Sequence, residues 1–253
     1  MTSTDPTRRA AFAAGVLYLL TFIGSIPGTL LMAPVLDDPA YVTGPGAATQ
    51  IGLAAVFEMV NVLALIFTAI AVFSVVKREH ESLALGFVAT RSFEAAVIVI
   101  GVVAILAVST LQQQAATSSD PAALVPVANA LVDVRDWTMV LGPSMAAFNA
   151  LMFGSLLFRA RLVPRAIPAL GLVGAPLLIS WAAGTMLGLT EPGTAWHGIA
   201  VMPFFFWELA VGLWMTFKGF SRTSPIVVAA MAEASPATST PSTLAVATTG
   251  GVA

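Results

Sequence analysis

Three carboxylates and one guanidinium stand inside long apolar runs of this chain: Glu58, Arg91, Glu94 and Glu208. Asn61 lies three residues beyond Glu58. Ionisable groups are costly in hydrocarbon. They are tolerated where they face a protein interior or a water-filled cavity, so they mark proton relays, ligand sites or paired struts. Arg91 and Glu94, within Arg91-Ser92-Phe93-Glu94, share one helix face and can pair. Glu58 and Asn61 do the same, with Thr68 further along nearly the same face. Glu208 follows Trp207 and has no basic neighbour on its own helix face. A rise of ~1.5 Å per residue places Glu208 and Asn61 near the centres of their runs. By the same count Glu94 lies about 5 Å and Arg91 about 9 Å to one side, and Glu58 about 6 Å to the other. All five therefore fall in a slab of about 15 Å and are expected to converge in a bundle interior. A guanidinium stays charged, and one cannot neutralise three carboxylates. At least one of Glu58, Glu94 and Glu208 is expected to carry a proton at neutral pH. The reading of the cluster as a proton- or ligand-handling site stands beside a plainer one, a polar clasp that sets helix register.

A second polar group, Asp133, Arg135, Asp136 and Trp137, leads into a later apolar run. Asp136 is placed to cap the helix that follows, and an acidic residue suits a helix N-terminus. Trp137 suits an interfacial aromatic belt. His197, beside Trp196, reads as another rim residue. Capping and anchoring are the expected roles of this outer rim, with substrate contact as the alternative.

Other chemistries lack their residues. The chain has no cysteine, which removes disulfides, thiolate metal sites and cysteine nucleophiles. Its two histidines, His80 and His197, are too few for an ordinary zinc site, and no metal or cofactor is expected. No H-E-x-x-H, P-loop or dinucleotide fingerprint occurs. Gly142-Pro143-Ser144 superficially suggests an intramembrane serine hydrolase. Ser144, however, lies about 10 Å or more inside its span while His197 sits at a rim, out of reach for base catalysis.

These residues must be held by apolar elements. Of 253 residues, 58% are hydrophobic and 9% charged, with a net charge of −2. An ordinary soluble domain carries roughly a quarter charged residues, so water-soluble classes are excluded. The scattered basic residues form no stripe, so no nucleic-acid partner is expected. A transmembrane helix needs roughly 20 mostly apolar residues, and six stretches qualify. They are residues 10–32, 48–76, 83–111, 137–158, 166–189 and 199–217. The expected fold is all-α, a polytopic bundle of six transmembrane helices over residues 10–220. Arg8, Arg9, Lys77, Arg78, Arg159, Arg161, Arg165, Lys218 and Arg222 all fall at one set of span ends, and only Arg135 at the other. The positive-inside rule then puts both termini in the cytoplasm, with residues 1–9 as a short cytoplasmic lead. Gly24–Gly28 and Gly184–Gly188 both read G-x-x-x-G, a motif for close helix approach, and hint at a parallel duplication of hairpins. Residues 221–253 are rich in Ser, Thr, Ala and Pro, and are expected to form a disordered cytoplasmic tail.

Several stretches together resemble a bacterial family of multi-pass membrane proteins known only as a domain of unknown function, number four-three-eight-six. They are Gly15-Val16-Leu17-Tyr18-Leu19-Leu20-Thr21-Phe22 with Ile26-Pro27, Asp38-Pro39-Ala40-Tyr41, Arg91-Ser92-Phe93-Glu94, Asp136-Trp137-Thr138 with Leu141-Gly142-Pro143, Arg161-Leu162-Val163-Pro164-Arg165 and Trp207-Glu208-Leu209. The resemblance covers roughly residues 8–220. It implies a multi-pass protein of the bacterial plasma membrane and carries no activity, substrate or cofactor. Its motifs overlap the buried charges at Arg91, Glu94 and Glu208.

The leading functional expectation is a small transport or ligand-binding bundle around a proton-titratable charge cluster, with the lipid bilayer as its surroundings and a small molecule or proton as ligand. One alternative is a non-catalytic regulatory or assembly subunit that packs against a membrane partner or a second copy of itself. Another is an enzyme acting on a lipid or isoprenoid, ranked last because no acidic or basic motif for phosphate handling is present.

Overall fold

The computed structural model describes residues 6–234. Among them every regular element is helical. The helices are α1 (Pro6–Leu36), α2 (Ala48–Val76), α3 (Glu81–Ala115), α4 (Val125–Arg159), α5 (Ala166–Met186), α6 (Ala195–Phe217) and α7 (Pro225–Ala234). The first six are long and apolar enough to cross a membrane. Their outward faces are apolar too, with Leu30, Phe67, Val103, Val173 and Phe217 all more than half or about half exposed. In lipid an α-helix satisfies its own backbone, and its outer face needs no polar cover. The chain is an integral, multi-pass membrane protein.

Successive helices run antiparallel and pack against their chain neighbours, and α1 closes the ring on α6. The short connections, residues 77–80 and 160–165, therefore lie at one end together with both ends of the described chain. The nine basic residues named above gather there, so it is called the basic end and its opposite the far end. From the basic end up to the far ends of α5 and α6, all six helices contribute to one core. Tyr18, Val72, Phe87, Phe153, Leu157, Trp181 and Trp207 belong to it. Phe87 stacks on Phe153 at 4.6 Å between centroids. Small residues let the backbones close up. A Cβ on Gly15 would lie 2.4 Å from the Thr216 backbone nitrogen, and one on Gly171 would lie 2.5 Å from the Trp207 indole.

The far end is built differently. A second core of Met32, Val35, Ile51, Val102, Ile105 and Ala128 joins α1 to α4 only. Helices α3 and α4 have 35 residues each, while α5 has 21 and α6 has 23. Tight turns level the helices at the basic end, so the excess of some 12–14 residues, about 20 Å, projects at the far end beyond α5 and α6.

Three sequence expectations change here. The fourth helix begins at Val125, more than two turns before residue 137, because Pro126 fits its first turn and no breaker follows. Asp136 is therefore inside the helix and caps nothing. The second G-x-x-x-G is no helix seam: α5 ends at Met186, and Gly188 turns the chain with φ +69° in open space. A disordered tail from residue 221 is not found over its first part, where Pro225–Ala234 forms α7. Gly219, at φ +77°, reverses the chain after α6. Ser224 Oγ then donates to the Ala160 carbonyl at 2.6 Å, Val227 enters the core, and Arg78 pairs with Glu233 at 2.9 Å. The remaining tail and residues 1–5 lie outside the described residues.

Candidate functional site

Of the four charges expected to converge, Arg91, Glu94 and Glu208 meet. Arg91, on α3, is 1% exposed. Its Nη1 donates to Glu94 Oε2 at 2.9 Å, one helix turn along, and its Nη2 to Glu208 Oε1 on α6 at 2.7 Å. The guanidinium lies 5.0 Å from the Tyr18 ring centroid and 5.8 Å from that of Phe87. Asn149 of α4, fully buried, donates from Nδ2 to Glu94 Oε2 at 2.5 Å and accepts the Thr90 hydroxyl on its Oδ1. One polar chain thus crosses three helices, from Glu208 through Arg91 and Glu94 to Asn149.

Glu58 does not join that chain. It pairs with Arg135, Nη2 to Oε1 at 3.1 Å, and both side chains are at most 3% exposed. Asn61 Nδ2 lies 3.4 Å from the other Glu58 oxygen. Arg135 was expected at the outer rim. The early start of α4 instead sets it inside, and the pair explains why a guanidinium is tolerated there. Two glycines make room. A Cβ on Gly101 of α3 would sit 2.9 Å from Arg135 Nη1, and one on Gly28 of α1 would sit 2.9 Å from Glu58 Cγ. Arg135 therefore passes α3 at Gly101 to reach α2. The Nε atoms of Arg91 and Arg135 have no hydrogen-bond partner among the described residues.

The neighbouring residues of the same helix turn away from the interior. Asp133, Asp136 and Trp137 are exposed. His197 stacks on Trp181 at 4.2 Å between centroids, and its Nδ1 accepts from the Gly193 amide at 3.1 Å. Ser144 is not part of this arrangement: its hydroxyl donates to the Val140 carbonyl one turn back.

A cavity of about 330 Å³ takes wall residues from all six spanning helices. Glu94 and Glu208 mark its deep end, and Glu58, Asn61, Arg135 and Thr138 form one side. Phe22 and Phe205, in edge contact at 5.2 Å, and Phe204 line the α1–α6 side. His197 stands where α6 begins at the far end. Ile26 and Met139 both line the cavity and are close to half exposed, so its edge reaches the outside of the bundle. The wall is mostly apolar with a few convergent polar groups, the usual make-up of a small-molecule site.

Sequence reasoning missed Asn149, Tyr18 and the true place of Arg135. Asn149 and Tyr18 did carry a signal, since each is a polar-tipped side chain well inside an apolar run. Arg135 carried none, because its depth depends on where α4 starts.

The family described as Domain of unknown function (DUF4386) matches residues 13–219, and the chain belongs to it. No curated protein and no solved structure matches the chain.

Proposed function

We propose that this DUF4386 protein is a small ligand-binding or transport bundle, whose far-end cavity admits a small molecule and whose buried carboxylates take up and release a proton. One observation carries the reading: a single cavity touches Glu58, Glu94 and Glu208, three carboxylates within the spans, the first two buried and the third partly so. Two guanidiniums, Arg91 and Arg135, face them. The enclosed set is therefore one positive charge short. In a medium of low dielectric that deficit is best met by a proton or by a positively charged guest. Glu208 is the most accessible of the three. Its side chain is 14% exposed against 9% for Glu94 and 3% for Glu58, and Arg91 is its only ion-pair partner among the described residues. With the basic end in the cytoplasm of a bacterial plasma membrane, the cavity faces outward.

The cysteine-free chain lends itself to a direct test. Single cysteines at Ser25 and Thr29, on the cavity wall, should react with a membrane-impermeant maleimide added from the far-end side. A cysteine at Ala69, in the closed core, should not. Infrared spectra in lipid should show a protonated carboxyl band at neutral pH that Glu208→Gln removes. If Ser25→Cys and Thr29→Cys resist labelling from both sides, no aqueous route reaches the carboxylates and the reading fails.

A further inference from the structure

We infer that the ligand of this cavity is an organic monocation, an ammonium carrying an apolar or aromatic body, and that its charge takes the place of a proton held by the enclosed carboxylates. The inference rests on the proposed binding role and names the ligand class. Three features define that class. The first is charge. The titratable and charged groups on the cavity wall are Glu58 on α2, Glu94 on α3, Arg135 on α4, and Glu208 with His197 on α6; behind the wall Arg91 of α3 pairs with Glu94 and Glu208 and packs on the Tyr18 ring of α1. Neither α1 nor α5 brings a charged group to its wall. With His197 neutral the site lacks one positive charge, so an anion meets repulsion and a neutral guest leaves the proton where it is.

The second feature is the wall. Phe22, Phe204 and Phe205 stand on the same side of the cavity as Glu208. Aromatic rings beside a carboxylate favour a quaternary or alkylated ammonium, which is held by ring quadrupoles and needs few hydrogen bonds. The third is size. A volume of about 330 Å³ lies at the small end of ligand pockets and is far more than a bare ion fills. The oxygens are also dispersed: among the described residues no three acidic or histidine side chains come together as a metal-binding group. When the cation enters, the enclosed carboxylates together give up one proton to water, and the charge of the set is unchanged.

The test is calorimetry on the full-length protein in nanodiscs with three probes of similar body: benzyltrimethylammonium, benzyl alcohol and benzenesulfonate. The cation should bind at least tenfold more tightly than the other two, and more tightly as pH rises from 6 to 8. Buffers of different ionisation enthalpy should reveal close to one proton released per cation bound. Glu208→Gln should abolish that release and weaken the cation at least tenfold. Phe205→Leu keeps every charge and serves if Glu208→Gln does not fold; it should weaken the cation severalfold and leave benzyl alcohol alone. Binding of benzyl alcohol or benzenesulfonate as tight as that of the cation would overturn the inference while leaving a ligand-binding cavity in place. Cation binding with no proton release would overturn the proton exchange. No binding of any probe, with Ser25→Cys unlabelled as well, would overturn both this inference and the binding role beneath it.

Discussion

The two ends of this bundle bury guanidiniums in opposite ways. Toward the basic end Arg91 is packed on aromatic rings, bridges two carboxylates and is backed by a six-helix core. Toward the far end Arg135 holds a single carboxylate, beside a cavity that the four-helix core leaves open. The first arrangement ties α6 to α3, the only ion pair among the described residues that joins the α5–α6 pair to the rest through buried charge. The second ties α4 to α2 inside a unit already held by apolar packing. The difference teaches that the same side chain can be a junction or a strut. Both guanidiniums link helices that share an apolar core, so what separates them is that Arg91 holds two carboxylates and Arg135 one.

Removing Arg91 should have the largest effect. Arg91→Met strands Glu94 and Glu208 in a buried site, and breaking such a set costs about 3–5 kcal/mol. Unfolding in mixed micelles should show that loss. Arg91→Lys should recover little of it, since an ammonium lacks the fork that reaches both carboxylates. Next, Arg135→Met alone should destabilise by about 3 kcal/mol, yet Glu58→Met combined with Arg135→Met should return to within about 1 kcal/mol of the parent, because an apolar replacement of a whole buried pair is often neutral. If the double variant stays as unstable as the single one, Arg135 is more than a strut and the contrast with Arg91 weakens.

The closed and open ends can be told apart by one methyl group. Gly15→Ala drives a Cβ to 2.4 Å from the α6 backbone and should cost about 1–3 kcal/mol by overpacking. At Gly142, on the cavity wall, the nearest atom is Ile98 Cγ1 at 3.9 Å. Gly142→Ala should be neutral or slightly stabilising, since alanine exceeds glycine in helix propensity by about 1 kcal/mol. Equal losses at both sites would mean that the far end is as tightly packed as the basic end. The smallest effect is expected at the surface pair. Glu233→Gln, opposite Arg78, should shift stability by less than about 1 kcal/mol and fade with salt, since both partners are substantially exposed.

Much of this was legible before any coordinates. Six apolar runs could only be helices, and the run boundaries of the second span match α2 residue for residue. The Arg91–Glu94 pair followed from helical spacing, and the meeting with Glu208 from the expense of charge in hydrocarbon. The errors share one cause. Where α4 starts, where α5 stops and whether residues 225–234 fold are decided at helix ends. There composition is mixed, and burial against a neighbour tips the balance. Ser224 and Val227 illustrate the point: the apolar stretch from Ile226 to Met231 is too short to form a core alone, and against Ala160 and the basic-end core it holds a helix.

The chain alone therefore settled that the protein spans a membrane several times and that a few charges must be gathered inside it. Both conclusions follow from transfer free energies that act residue by residue and need no partner to be named. Only the tertiary structure decided which carboxylate takes which guanidinium, and that Arg135 belongs to the interior. It also decided that the set lacks one positive charge beside an aromatic-walled cavity. Those outcomes depend on helix lengths, glycine contacts and the splitting of one ring into two cores, all of them relations between segments far apart in sequence.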